Sequence, residues 1–152
     1  MISFCLPNFD IKLSHNQGRP QIFDFLRRRY VALTPEEWVR QRFTHHLVEN
    51  LGYPASLLAN EVMVRINGVA RRCDTVLYHR EGGFPRMIVE YKAPDIPITQ
   101  RVFDQIASYN SVLRADYLML SNGMQHFCCH INYAENKAEP LDYILPYGEL
   151  MP

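Results

Sequence analysis

MIVEYKAP, residues 87–94, decides how the chain is read. Met87-Ile88-Val89 is an apolar run of strand character that ends in Glu90, Tyr91 and Lys92. Side chains alternate along a strand, so Ile88, Glu90 and Lys92 share a face. The preceding strand-like run, residues 69–79, carries Asp74 on the face of Val76 and Tyr78. A meander of the two strands sets Asp74 beside Glu90, with Lys92 just beyond. Two carboxylates so placed repel unless one takes up a proton or a cation sits between them. Hard oxygen ligands suit Mg²⁺, which keeps several waters and adds a substrate phosphate. Such an ion polarises a phosphoryl oxygen and acidifies a water, and Lys92 can orient that water or offset charge developing in the transition state. The competing reading is an interstrand salt bridge of Glu90 or Asp74 with Lys92 or Arg71. Glu135-Asn136-Lys137 repeats the Glu-x-Lys spacing in a polar stretch. The tripeptide alone therefore discriminates little, and its neighbours carry the signal.

Working outward, Asn67-Gly68 between two strand-like runs, residues 61–66 and 69–79, predicts a tight hairpin. REGGFP (80–85) turns the chain into the strand of the opening stretch. Upstream, Thr34 as N-cap, Pro35 at the first helical position and Glu37 in a capping box open a helix. Val39, Phe43, Leu47 and Leu51 follow at helical spacing, and Gly52 and Pro54 end it. Before it, FDIKL (9–13) and QIFDF (21–25) flank turn-forming residues and predict a hairpin arm. Downstream, the two prolines of PDIPIT make residues 94–99 a linker. A second helix runs from near Thr99 to about Leu113, with Val102, Ile106, Tyr109 and Leu113 along one side. DYLMLS (116–121) and QHFCCHINY (125–133) are further strands around Asn122-Gly123. The order αβββαβ predicts an α/β sandwich about a central mixed sheet. At 152 residues one domain is expected, with a β arm over 1–31, a core over 32–133 and a polar, aperiodic tail over 134–152.

Charge is balanced at 16 basic and 16 acidic residues, which argues against a general polyanion-coating protein. The basic set is 13 Arg against 3 Lys, and Arg suits bidentate phosphate or carboxylate contacts. Arg27-Arg28-Arg29, Arg40 with Arg42, and Arg71-Arg72 form local clusters that read as solvated or salt-bridged faces or as phosphate contacts. The four cysteines form no C-x-x-C pair, so neither a zinc site nor a disulfide framework is expected, and buried thiols in a reducing compartment are. The first ten residues lack a basic, then apolar, leader pattern, and no stretch approaches membrane-spanning length. A cytoplasmic location follows as the expectation.

On the second helix, Gln105 and Tyr109 lie one turn apart and can reach a phosphate or a water above the sheet, although this spacing also describes an ordinary polar helix edge. Asp74, then Glu90-Tyr91-Lys92, then Gln105-Ile106-Ala107-Ser108-Tyr109 resembles the N-terminal nuclease domain of the type I restriction enzyme R subunit (HsdR), of the PD-(D/E)xK superfamily. LTPEEWVRQ, RRCDTVLY, VEYKAPDIPIT, FDQIASYN and SNG add to the likeness, which covers roughly residues 30–130. It implies a restriction-endonuclease-like fold and metal ligation by Asp74, Glu90 and the Tyr91 carbonyl, with Mg²⁺ or, as a substitute, Mn²⁺. It implies catalytic support from Lys92 and positioning by Gln105 and Tyr109. Many superfamily members add a first-helix Glu; Glu49 is the candidate and Glu61 its rival. The expected substrate is double-stranded DNA, held through its phosphates, and other restriction-modification subunits are the expected partners. These residues contain no G-x-x-x-x-G-K-[ST] loop, so the expectation is a stand-alone nuclease-like domain without the ATP-driven motor. The alternative is a catalytically inert module of the same fold that docks DNA or a partner. His45-His46 with Glu49, and His126 with His130, are weaker metal candidates, read as satisfied or exposed histidines.

Overall fold

The computed structural model describes residues 1–152. The first helix, α1 (Pro35–His45), begins where the cap predicts, with the Thr34 hydroxyl accepting from the Glu37 N–H at 3.1 Å. Only half of the capping box forms. The Glu37 carboxylate turns to Arg27, Arg40 and Gln41 instead of reaching back to the cap. Val39, Phe43 and Leu47 are buried, and α1 continues as a π-helical turn over His46–Asn50 until Gly52, at φ +75°, turns the chain out.

The meander follows as β5 (Leu58–Ile66), β6 (Val69–Tyr78) and β7 (Pro85–Tyr91). These are numbered after four earlier strands: β1 (Ile2–Ser3), β2 (Leu13–Asn16), β3 (Arg19–Asp24) and β4 (Arg29–Ala32). Asn67 and Gly68 both take positive φ, 51° and 77°, as a type I′ turn requires. After β7 come α2 (Gln100–Leu113), β8 (Tyr117–Ser121), β9 (Gln125–Asn132) and β10 (Lys137–Pro140). The main sheet has seven strands in the order β1-β9-β8-β7-β6-β5, with β10 also on β9. It is mixed: β7 and β8 are parallel and every other pair is antiparallel.

The two helices bury against opposite faces. Val39, Phe43 and Leu47 of α1 join Met87, Val89, Tyr91, Tyr117 and Met119 in one core. Val102, Ile106 and Tyr109 of α2 join Val76, Ile88, Leu118 and Leu120 in the other. The alternation of β7 and β8 residues between these cores is the period-2 pattern of a sheet covered on both sides. No helix is long and apolar enough to cross a membrane.

Three features depart from the sequence expectation. The arm is a three-stranded sheet, β2-β3-β4, not a hairpin, and its first strand starts at Leu13, not Phe9. Residues 2–3 belong to the main sheet on β9, not to the arm. The segment after Ala134 is ordered against the core: β10 pairs with β9, Ile144 and Leu150 are buried, and Arg86 donates to the Leu150 and Met151 carbonyls. Of the cysteines, Cys73, Cys128 and Cys129 are buried as expected, whereas Cys5 is exposed.

Candidate active site

The β6–β7 ladder runs from Tyr78↔Pro85, across a register shift at Leu77, through Thr75↔Val89 and then stops. The next positions along the two strands are Asp74 and Glu90. There the N–H groups of Asp74 and Tyr91 go to side chains instead of to the ladder. The Asp74 N–H donates to Glu90 Oε1 at 3.2 Å, and the Tyr91 N–H donates to Asp74 Oδ2 at 2.9 Å. The two carboxylates thus interlock across the opening, each holding the other strand's backbone. The expected parity holds on β7 but breaks on β6. Cys73 and Val76 both pack into the α2-side core, which period-2 alternation forbids, so the strand is irregular at Asp74. Opposite it on β5, Glu61 has φ +59° and is skipped by the ladder, which pairs Asn60 with Thr75 and Val62 with Cys73.

This geometry sets the electrostatics. Burial raises the pKa of Glu90, and the neighbouring Asp74 charge raises it further. Burial also raises that of Asp74, against the Tyr91 N–H bond and the Arg40 charge, which lower it. Two carboxyls that both resist ionisation, side by side, constitute a site short of positive charge. Lys92 supplies one cation on the α2 side, with Nζ donating to Gln105 Oε1 at 2.9 Å. The Gln105 side chain in turn reaches the Tyr109 hydroxyl, and burial raises the pKa of Tyr109. Asp74, Glu90, Lys92, Gln105 and Tyr109 are therefore brought together, from β6, β7 and α2. The Tyr91 ring points the other way, into the α1-side core, with its hydroxyl donating to Thr75 Oγ1 at 3.0 Å.

The residue that sequence reasoning missed is Arg40. The sequence groups it with Arg42 as a solvated or salt-bridged face; it is salt-bridged, but at 6% exposed it is buried beside Asp74. Its Nη2 lies 2.6 Å from Glu61 Oε1 and 3.9 Å from Asp74 Oδ1, its Nε lies 3.2 Å from Glu37 Oε2, and Nη1 donates to the Asp74 carbonyl at 3.3 Å. Burial works against its charge, but Glu37, Asp74 and Glu61 outweigh it and raise its pKa. Of the two rival acids, Glu61 joins the cluster through Arg40. Glu49 is an exposed residue 3.0 Å from His45 and bonds none of the site residues. A helical Arg followed by strand acids gives no local signal for this.

The weaker metal candidates are ordinary. His46 meets Asn50, His126 is buried between Ser121 and the Phe4 carbonyl, and His130 bonds Glu139. No three His, Cys, Asp or Glu side chains converge as a ready metal cluster. The Asp74–Glu90 pair nevertheless fits a divalent cation of the Mg²⁺ type. Each carboxylate keeps an oxygen not used on backbone, and Mg²⁺ accepts few protein ligands because it retains waters.

Comparison with known proteins agrees with the fold. Among solved structures, a fragment attributed to an HsdR subunit of a type I restriction enzyme from Vibrio vulnificus YJ016 aligns with a TM-score of 0.56 at 20% identity, covering 78% of this chain and 24% of that one. At that identity the likeness is one of fold, and this chain spans about a quarter of that chain's length. No curated protein matches. The model of the type I restriction enzyme R protein N terminus (HSDR_N) matches residues 35–145, from the start of α1 to beyond β10. That match takes in most of the chain, and the protein belongs to the family of the type I restriction enzyme R protein N terminus.

Proposed function

We propose that the chain is a metal-dependent DNA endonuclease domain of the PD-(D/E)xK type, with the restriction-endonuclease-like sandwich of that superfamily, and that it hydrolyses phosphodiesters at the Asp74–Glu90 opening. The observation that carries this reading is the meeting of two pKa-raised carboxyls with Lys92 where a sheet ladder ends. Asp74 and Glu90, with the Tyr91 carbonyl, would hold Mg²⁺ or Mn²⁺. When bound, such an ion supplies Lewis-acid polarisation of the phosphoryl oxygen and acidifies a water. Lys92 sets its ammonium where negative charge builds on the phosphate. Gln105 fixes Lys92 through the 2.9 Å bond, and Tyr109 supports Gln105 from the next turn. Arg40 holds the Asp74 main chain in the kinked position that frees its carboxylate from the ladder. DNA is bound through its phosphates, in a cytoplasmic restriction-modification setting.

The test is plasmid nicking by the purified protein with Mg²⁺ or Mn²⁺. Wild type should convert supercoiled to open-circular DNA. Asp74→Ala and Lys92→Ala should each abolish conversion with an unchanged circular-dichroism spectrum. Equal activity in both variants would expose a contaminating nuclease and end the reading.

A second reading is an inert docking module of the same fold. It is favoured by one observation: both carboxylates already serve main-chain N–H groups, and no third acidic ligand joins them. Calorimetric titration with Mn²⁺ separates the two, since the inert module shows no ion binding that depends on Asp74 and Glu90.

A further inference from the structure

The arginine clusters of the sequence are not equivalent in the fold. Arg27 is tied to Asp24 and Glu37, Arg40 to Glu61 and Glu37, and Arg42 to the Leu6 carbonyl. Arg27 and Arg40 are spent on carboxylates, and Arg42 is turned onto main-chain carbonyls. Arg71 and Arg101 are different. Both are exposed, neither forms an ion pair, and they reach one cleft from two elements. The cleft holds about 510 Å³ and is lined by Asn67, Arg71, Arg101, Gln105, Ser108 and Tyr109, with two apolar hairpin residues, Ile66 and Val69. No acidic residue lines it.

Helical spacing explains its floor. Arg101, Gln105 and Ser108 stand at successive turns on one side of α2, with Tyr109 beside them. The β5–β6 hairpin tip supplies the opposite wall, because the Asn67-Gly68 turn lets Arg71 follow β6 back past α2. Gln105 belongs to both places. It lines the cleft and accepts from the Lys92 ammonium, so the cleft adjoins the side of the site that Lys92 occupies. Two unpaired guanidinium groups, a hydroxyl and an amide on an acid-free wall form an anion site. Its size falls within the range of about 300–1,000 Å³ typical of ligand sites.

We infer that this cleft is the phosphate subsite that seats the DNA strand beside the scissile bond, with Arg71 and Arg101 on the flanking phosphodiester and Ser108 on its edge. The assignment rests on the nuclease reading for the identity of the strand. It predicts the strand's path: from the Asp74–Glu90 opening, past Lys92 and Gln105, along α2 towards its N-terminal end. Contacts of this kind position a duplex and carry no sequence information.

The experiment is fluorescence anisotropy of a labelled 20-base-pair duplex across a salt series, in Ca²⁺ so that binding is read without turnover, together with steady-state nicking in Mg²⁺. Arg71→Ala and Arg101→Ala should each weaken binding on the order of tenfold and lower the slope of log affinity against log salt by about 1. Both should raise KM with little change in kcat, and the loss should be the same for duplexes of unrelated sequence. Arg114→Ala, at the other end of α2 and stacked on Tyr133, should leave affinity and slope unchanged. Arg71→Lys and Arg101→Lys should recover part of the affinity. Unchanged affinity and slope in both Arg71→Glu and Arg101→Glu, with normal melting curves, would overturn the subsite. The two ideas fail separately. Wild-type nicking with no dependence on Arg71 or Arg101 removes the cleft alone. Arginine-dependent binding without nicking in any metal removes the catalytic reading and leaves the cleft as a docking groove.

Discussion

The chain contains the same three-residue pattern twice, and the fold makes two different things of it. Glu90-Tyr91-Lys92 closes β7, where Glu90 is 3% exposed and faces Asp74, and Lys92 reaches away to Gln105. Glu135-Asn136-Lys137 runs from the surface turn into the first residue of β10, where Lys137 pairs with Glu135 itself and with Glu139. In the second case acid and base neutralise one another in water, an arrangement of little energetic weight. In the first the acid turns to the Asp74 N–H and the base to Gln105. Burial and a second carboxyl raise the acid's pKa, against the Lys92 charge, which lowers it. What distinguishes a candidate catalytic Glu-x-Lys from a decorative one is therefore the neighbour across the strand, not the spacing.

The strongest way to break this comparison is to neutralise both glutamates in turn. Glu90→Gln should lower the nicking rate by at least about 10³-fold, the scale expected when a group that stabilises charge in the transition state is lost. Glu135→Gln should leave the rate unchanged in the same plasmid assay. A smaller effect tests the buried cation. Arg40→Ala leaves Glu37 and Glu61 without their partner, and urea denaturation should show a loss of about 3–5 kcal/mol. Arg72→Ala, which removes only a distant contact to Glu61, should be close to neutral.

Asp24 sharpens the comparison from a third carboxylate. It is fully buried, yet hydrogen bonds from Asn60 and Arg27 outweigh that burial and lower its pKa. A carboxylate with a depressed folded pKa contributes stability that is present above its unfolded value and disappears as pH falls through the folded one. Asp24→Asn should therefore be less stable than wild type at pH 7, and the gap should narrow below about pH 4 in a series of thermal melts. For Glu90 the sign is opposite. With its folded pKa raised, the metal-free protein should lose stability as pH climbs above the ordinary Glu value, and Glu90→Gln should flatten that part of the profile. The smallest effect is expected at the surface copy, where Lys137→Ala should leave the thermal midpoint unmoved.

Much of the frame was legible because its signals are local. The Thr34-Pro35 start, the Asn67-Gly68 turn, the apolar side of α2 and the βαβ step through β8 each follow from residues within one element. The approach of Glu90, Lys92, Gln105 and Tyr109 follows for a related reason, since alternation on β7 and helical spacing on α2 fix their sides, whereas Asp74 reaches them from an irregular β6. The elements that escaped are those made by their neighbours. β1 has two residues and β10 reads Lys-Ala-Glu-Pro, so both are strands only because β9 offers an edge. β4 hides in a run of arginines because the arm's sheet has a solvated side. The irregularity at Asp74, the positive φ of Glu61 and the burial of Arg40 depend on one another across α1, β5 and β6, and no window of sequence contains all three.

The arm is fastened by a directional relay. The Tyr91 hydroxyl donates to Thr75, Thr75 donates to Asn60, and Asn60 donates to Asp24 at the base of β3. For anyone building chimaeras within this family, the arm is consequently not an interchangeable cassette. Transplanting it without its donor Asn60 would leave the buried Asp24 carboxylate short of a hydrogen bond, so the graft boundary has to travel with Asp24, Asn60 and Thr75 as one inherited unit.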